Sequence, residues 1–322
     1  MAQITAIPSP GEIERLYRQV KLVRRAEEEI VRIYPSDKIK SPVHIAIGQE
    51  AISVAVCDAL RADDVVGGTY RSHAFYLAHG GDLNALMAEL YGKATGCAGG
   101  KGGSMHIVDM SRNILGSSAV VGTTIPVTAG YALALKTQGR GRVAASFFGD
   151  GATEEGCFTE TLNFAALHKL PILFVCENNF YAIHEPIHKR QATDRLVERV
   201  RTYGIESMRI EDMDIFRIRQ AAAGMVERLR AGEGPFFLEC DTCRWLEHVG
   251  PNEDFDAGYR SRADAKSWID NDQVVRLAAL IDAKRRHAID QEIEAALAAA
   301  VAYAESSPPP AAKELYAHVF AS

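Results

Sequence analysis

Apolar residues first recur at helical spacing and then gather in continuous runs, and the order of the two patterns outlines the architecture. From about residue 11 to 34, Ile13, Leu16, Tyr17 and Val20 share one face, which predicts an amphipathic helix. Residues 46–61, AIGQEAISVAVCDALR, predict a second helix. DDVVGGTYRSHAFYLAHGGD then breaks the pattern with two glycine pairs, and LNALMAELYG predicts a short helix. Residues 93–122 are glycine-rich and aperiodic, a long loop of the kind that is functional or disordered in a compact domain. After it come a helix at IPVTAGYALALK, a strand over 142–148, a helix over 155–168 and a strand over 171–176. PILFVC is apolar throughout, as in strands covered on both faces of a parallel sheet. RLVERVRTYG and MDIFRIRQAAAGMVERLRAG predict two more helices, and PFFLECDTC a third strand. RWLEHVGPNEDFDAGYRSR reads as a surface loop, and residues 264–304 as a helical tail. Alternating strand and helix predicts an α/β fold, a mostly parallel sheet flanked by helices, in one domain spanning 1–322.

Composition narrows the function without naming it. The chain has 322 residues, 47% apolar and 24% charged, with a formal net charge of −6 and a pI near 6.0. An acidic balance argues against nucleic-acid binding. The start shows no basic segment followed by an apolar run, so no signal peptide is expected. The longest apolar run, residues 295–304, falls far short of the ~18 residues a membrane span needs. Six cysteines in this length do not make a disulfide scaffold, and a reducing cytoplasm is the expected location. The lone CxxC, Cys240 to Cys243, has no second pair and reads as strand. GCAGGKGG lacks the Ser or Thr that follows the lysine of a nucleotide P-loop.

The chemistry concentrates at GDGATEEG, residues 149–156, and ENNFYAI, residues 177–183. Strand 142–148, helix 155–168 and strand 171–176 form one βαβ unit, so the two strands are expected to be parallel with a right-handed crossover. Their carboxyl ends then share one edge of the sheet, where open α/β sheets bind ligands. Asp150 follows the first strand and Asn179 the second. A carboxylate and an amide oxygen are hard donors suited to Mg2+ or Ca2+, and Mg2+ usually shares its octahedron with phosphate oxygens. Gly149 and Gly151 let the backbone approach a ligand, and the amides after Gly151 open a helix that attracts phosphate. The bland alternative is an Asp-Gly turn and an Asn-Asn loop; the βαβ context favours a magnesium-diphosphate site.

GDG followed by NN resembles the thiamine-diphosphate motif. HIAIGQEAISV, GGTYRSHAFYLAHG, GGKGGSMHI, VGTTIPVTAGYALA, the 149–183 stretch and the 244–260 loop occur in the order of the α subunit of thiamine-dependent 2-oxoacid dehydrogenases, the pyruvate, branched-chain and acetoin types. The resemblance covers nearly the whole chain and implies a thiamine-diphosphate-binding fold. It implies Asp150, the Asn179 side chain and the Tyr181 carbonyl as Mg2+ ligands, and Gly151 and Ala152, beside Gly149, as diphosphate donors. Tyr70 and Arg71 resemble the tyrosine–arginine pair at the cofactor, and an arginine fork suits phosphate. Ala119 and Val121 resemble the backbone contacts to the aminopyrimidine ring. Arg244 and His248 resemble the arginine and histidine of the active-site loop, and His44 a histidine near the substrate entrance. His44, His73 and His248 are the candidate catalytic histidines; His44 and His73 also read as satisfied structural ones. Where regulated relatives carry a phosphorylated serine after the loop histidine, this chain has Val249, and its loop is longer and more acidic.

The resemblance further implies a decarboxylase of a small 2-oxo acid, or a cleaver of acetoin, that passes an acyl group to a lipoyl acyltransferase. The glutamate that activates the cofactor comes in this family from a β subunit, which implies an α2β2 heterotetramer. The alternatives are a thiamine-dependent carboligase or lyase subunit without a lipoyl partner, and a non-catalytic subunit that only holds the cofactor.

Overall fold

A computed structural model describes residues 8–317. Its strands are β1 (Val65–Thr69), β2 (Ile114–Ser118), β3 (Ala144–Gly149), β4 (Ile172–Asn178), β5 (Tyr181–Ala182), β6 (Glu185–Pro186), β7 (Glu206–Ile210) and β8 (Phe236–Asp241). Six of them pair in parallel in the order β2-β1-β3-β4-β8-β7, while β5 and β6 form a small antiparallel hairpin. The helices are α1 (Pro10–Ile33), α2 (Glu50–Ala59), α3 (His73–Ala78), α4 (Leu83–Leu90), α5 (Thr124–Gln138), α6 (Gly156–Leu167), α7 (Ile187–Arg190), α8 (Leu196–Arg201), α9 (Ile215–Arg230), α10 (Arg262–Asp270), α11 (Gln273–Ala278) and α12 (Ala283–Ser306).

The sheet is covered on both faces, as the unbroken apolar strands predict. Phe147, Leu173, Val175 and Leu238 join one core with α1, α2, α4, α9 and α12. Their strand neighbours Phe148, Ile172, Phe174 and Phe237 point to the other, under α5, α6 and α8. This is the period-2 alternation of a pleated strand.

Three strands of the main sheet, and the β5–β6 hairpin, depart from the sequence expectation. β1 reads VVGGT, and its glycines mark close packing rather than a turn: a Cβ on Gly68 would lie 2.6 Å from the Phe75 ring of α3. β2 lies inside the expected 93–122 loop, at the sheet edge with four half-exposed residues, so it lacks an apolar signature. β7, ESMRI, is the opposite edge strand and is equally mixed. The second helix starts at Glu50 rather than residue 46, because Glu50 Oε2 accepts the Gly48 amide at 2.9 Å and holds a turn there. The helical tail divides into α10, α11 and α12, with Asp272 and Asp282 capping the last two.

The rest of the 93–122 segment is organised by one buried carboxylate. Glu89, at the end of α4, accepts the amides of Ala98 and Gly100 (both 2.8 Å) on Oε2 and those of Gly102 (2.7 Å) and Gly103 (3.1 Å) on Oε1. A glycine-rich stretch has no side chains with which to fix itself, so the carboxylate supplies the missing partner. Ser104, at its end, then meets His73.

Glu239 on β8 is also enclosed. Its Oε1 accepts from Asn178 Nδ2 at 2.8 Å, and Oε2 has no partner. Burial pushes its carboxyl up from 4.5 to about 7, against the pull of Arg209. A carboxyl raised in the folded state contributes stability that is complete below its unfolded pKa and is lost as pH rises through its folded pKa.

Two outcomes are expected. Glu89→Ala leaves four amides unpaired and should cost on the order of 3 kcal/mol or more in urea unfolding; an unchanged midpoint would show that the loop holds itself. Glu239→Gln should cost more stability at about pH 5 than at about pH 8, because the wild-type advantage fades between them. An equal cost at both would mean that this carboxyl is ionised throughout.

Candidate active site

From β1 the chain moves outward to β2, and from β3 it moves the other way to β4. The carboxyl ends of β1 and β3 therefore flank a topological switch point, the place where open α/β sheets leave a crevice. A cavity of about 260 Å³ lies there. Of the residues singled out in the sequence, Tyr70, Arg71, Val121, Gly149, Asp150, Gly151, Ala152, Asn179, Tyr181 and His248 line it.

Asp150 opens the short 3-10 turn between β3 and α6 and is 1% exposed. Its Oδ2 is ion-paired with Arg190, while Oδ1 has no partner at all. Burial pushes the carboxyl above its usual range despite Arg190. An enclosed carboxylate oxygen without a donor is costly, so Oδ1 is a candidate position for a cation or a hydrogen-bond donor. The two asparagines divide their work. Asn178 ties β4 to Glu239 and accepts the Phe180 amide at 3.0 Å, whereas Asn179 reaches the cavity and donates to Gln49 Oε1 at 3.0 Å. Beyond them Phe180 and Ile183 take left-handed φ of 68° and 55°, which folds the β5–β6 hairpin over the cavity. The hairpin passes so close to Gly151 that a Cβ there would stand 3.0 Å from the Ala182 Cβ. Among the described residues no three His, Cys, Asp or Glu side chains gather as a metal cluster. One carboxylate, one amide and one carbonyl form a weak set by themselves, which suits a cation that also takes ligand oxygens.

Three rings meet beside this pocket. His44 lies 4.2 Å from Tyr70 and 5.1 Å from His248 between centroids, and Tyr70 lies 5.7 Å from His248. Burial first, then the Arg71 charge, pushes His44 down to about 2 and His248 down to about 3. Both imidazoles are therefore neutral near neutral pH, each with one N–H and one lone pair. Arg71 is buried, donates to the Ile45 carbonyl and reaches the His248 carbonyl at 3.4 Å. Burial lowers its guanidinium to about 10, which leaves it charged.

Four expected residues sit elsewhere. His44 touches the cavity only through Tyr70 and His248, and Ala119 lies outside the lining. His73 is fully buried with both nitrogens engaged, Nδ1 to Glu27 Oε2 at 3.0 Å and Nε2 to Ser104 Oγ at 2.9 Å. Arg244 faces inward, donating to Ile183 O at 2.8 Å, Leu246 O at 3.0 Å and Tyr259 Oη at 2.7 Å, and pairing with Asp254 at 3.2 Å. The 244–260 segment is thus no plain surface loop: Asp254 collects Arg244, Arg260 and Tyr259 in its interior.

Of the cavity residues not singled out in the sequence, Gln49 and Glu177 carry the clearest roles. Gln49 orients Asn179, and its signal was the GQE at the start of α2. Glu177 on β4 accepts from Ser53 Oγ at 3.0 Å, and burial pushes its carboxyl up to about 7. Nothing in an apolar strand distinguishes such an acid before the fold is known.

The model of the family described as "Dehydrogenase E1 component" matches residues 18–313. A pyruvate dehydrogenase E1 component subunit alpha from Porphyra purpurea is 36% identical, over 95% of this chain and 92% of its own. A similar subunit from Zymomonas mobilis is also 36% identical, over 97% and 91%. The alpha subunit of an acetoin:2,6-dichlorophenolindophenol oxidoreductase from Bacillus subtilis is 34% identical, over 95% and 93%. Matches of this length, over a fold and a crevice of this kind, place the chain in the dehydrogenase E1 component family.

Proposed function

We propose that this chain is the α subunit of a thiamine-diphosphate-dependent decarboxylating component, acting on a small 2-oxo acid or on acetoin and passing the acyl group to a lipoyl carrier. The observation that carries the reading is the enclosed Asp150 carboxylate, with one oxygen unpartnered, at the switch-point crevice beside Asn179. Asp150, Asn179 and the Tyr181 carbonyl would hold Mg2+. The amides of Gly151 and Ala152, with the Arg71 guanidinium, would hold the diphosphate. When bound, thiamine diphosphate supplies an electron sink for the electrons released when the carboxylate of the substrate leaves.

The chain's own groups complete the setting. His248, neutral and packed against His44 and Tyr70, lines the cavity and can donate an N–H hydrogen bond to an oxygen of the substrate there. Val121 and Ile183 place exposed apolar side chains at its rim, where a covering subunit would exclude water. His73, with Glu27 and Ser104, anchors the glycine-rich segment behind the pocket.

A cavity of about 260 Å³ is smaller than the ~300–1,000 Å³ that usually encloses a ligand of this size. The other wall would come from a β subunit. In support, α5 and α6 expose Val127, Leu133, Phe164 and Leu167, and Val121 is exposed at the crevice. Apolar residues around the whole girth of a helix belong in an interface. An α2β2 assembly, with a lipoyl acyltransferase as acceptor, follows from this reading.

Asp150→Ala, assembled with the partner subunit, should weaken thiamine diphosphate binding by ~100-fold or more while the unfolding midpoint changes little by comparison. Unchanged affinity would remove the metal assignment. The purified chain alone, given Mg2+ and thiamine diphosphate, should release no carbon dioxide from 2-oxo acids. Steady turnover by the isolated chain would overturn the missing-wall argument.

A further inference from the structure

Arg190, the last residue of α7, reaches back beneath the β5–β6 hairpin to the carboxylate assigned to the cation. Its Nη2 holds Asp150 Oδ2, its Nη1 holds Glu154 Oε1, and its Nε donates to Glu185 O at 3.0 Å. The side chain is 9% exposed and Asp150 1%, so this pair is enclosed rather than a surface pair. Its backbone is pinned as well. The Ile187 amide donates to Phe180 O and the Gln191 amide to Ile187 O, both at 2.8 Å, and Gln191 Nε2 donates to Glu154 Oε1 at 3.0 Å. A planar fork is needed to span two acids in this way; a lysine ammonium is a single point of charge.

The arrangement leaves Asp150 with one oxygen taken and the other, Oδ1, enclosed and free. Carboxylates bind cations through one oxygen or two, and the choice matters to the ion. Mg2+ demands a tight octahedron and takes single oxygens together with phosphate and water. Ca2+ takes six to eight ligands at longer distance and readily accepts both oxygens of one carboxylate. We propose that Arg190 is a positioning residue that confines Asp150 to one-oxygen ligation and thereby favours Mg2+ over Ca2+ at this site. The proposal rests on the cation reading of Asp150 given above. It adds a determinant of ion choice that lies outside the ligand set, on the segment following the hairpin.

The test titrates Mg2+ and, separately, Ca2+ into the complex with its partner subunit at fixed thiamine diphosphate, with cofactor binding followed by calorimetry. In the wild type the Mg2+ midpoint should lie below the Ca2+ midpoint. In Arg190→Met the Mg2+ midpoint should rise by about tenfold or more, the usual effect of losing a partner that orients a ligand. The Ca2+ midpoint should rise less or fall, so that the ratio between the ions narrows. A purely structural role would move both midpoints together and leave the ratio unchanged, which overturns the proposal. Arg190→Lys, which keeps the charge and the fold, should lie between the two; a wild-type ratio in this variant, if Arg190→Met does not fold, also overturns it. Asp150→Ala separates the two readings. Loss of all metal dependence there with an unchanged ratio in Arg190→Met sinks the ion-choice role alone, whereas retained metal dependence in Asp150→Ala sinks both.

Discussion

In the parallel ladder Gly149 of β3 sits opposite Glu177 of β4, which sits opposite Cys240 of β8. One step past that row come Asp150, Asn178 and Asp241, and two steps past it Asn179. This register is what the crevice depends on. Side chains alternate between faces, so a slip of one residue in any strand would exchange its two core faces and turn its terminal residue away. Close packing on both sides resists such a slip, since Phe147 and Phe148 each fit a core of their own, as do Leu173 and Phe174. The packing that stabilises the sheet also fixes where its ends lie.

Much of this was legible in the chain. PILFVC and the GDG–helix–NN order specified two adjacent parallel strands, and from them the meeting of Asp150 with Asn179 followed. The edge strands were not legible, because ILGSS and ESMRI lie where only part of each residue is covered and no period develops. β1 was hidden by Gly67 and Gly68, which serve contact with Thr128 and Phe75 and so imitate a turn. Within the site, the motif residues fell where their neighbours in sequence put them. Glu177 and Arg190 did not, since each meets a segment far along the chain, and a charge carries no mark of the partner it will meet.

Asp150 gathers several otherwise separate features. A carboxylate shut away from water must be matched by positive charge or protonated. The chain supplies half of that match through Arg190, and the other oxygen finds no partner among the described residues. Apolar surface is left open at larger scale too, in a shallow crevice with apolar residues at its rim and on α5 and α6, which expose Val127, Leu133, Phe164 and Leu167.

That outer face on α5 and α6 has a consequence for how the protein must be made. Val127, Leu133, Phe164 and Leu167 are harmless once covered and hazardous before. A chain produced in excess of its partner would spend its lifetime exposing them, open to self-association and to proteolysis. On the proposed assembly, balanced synthesis of the two subunits would follow from the surface of a single helix pair, and imbalance would show as turnover of the unassembled chain.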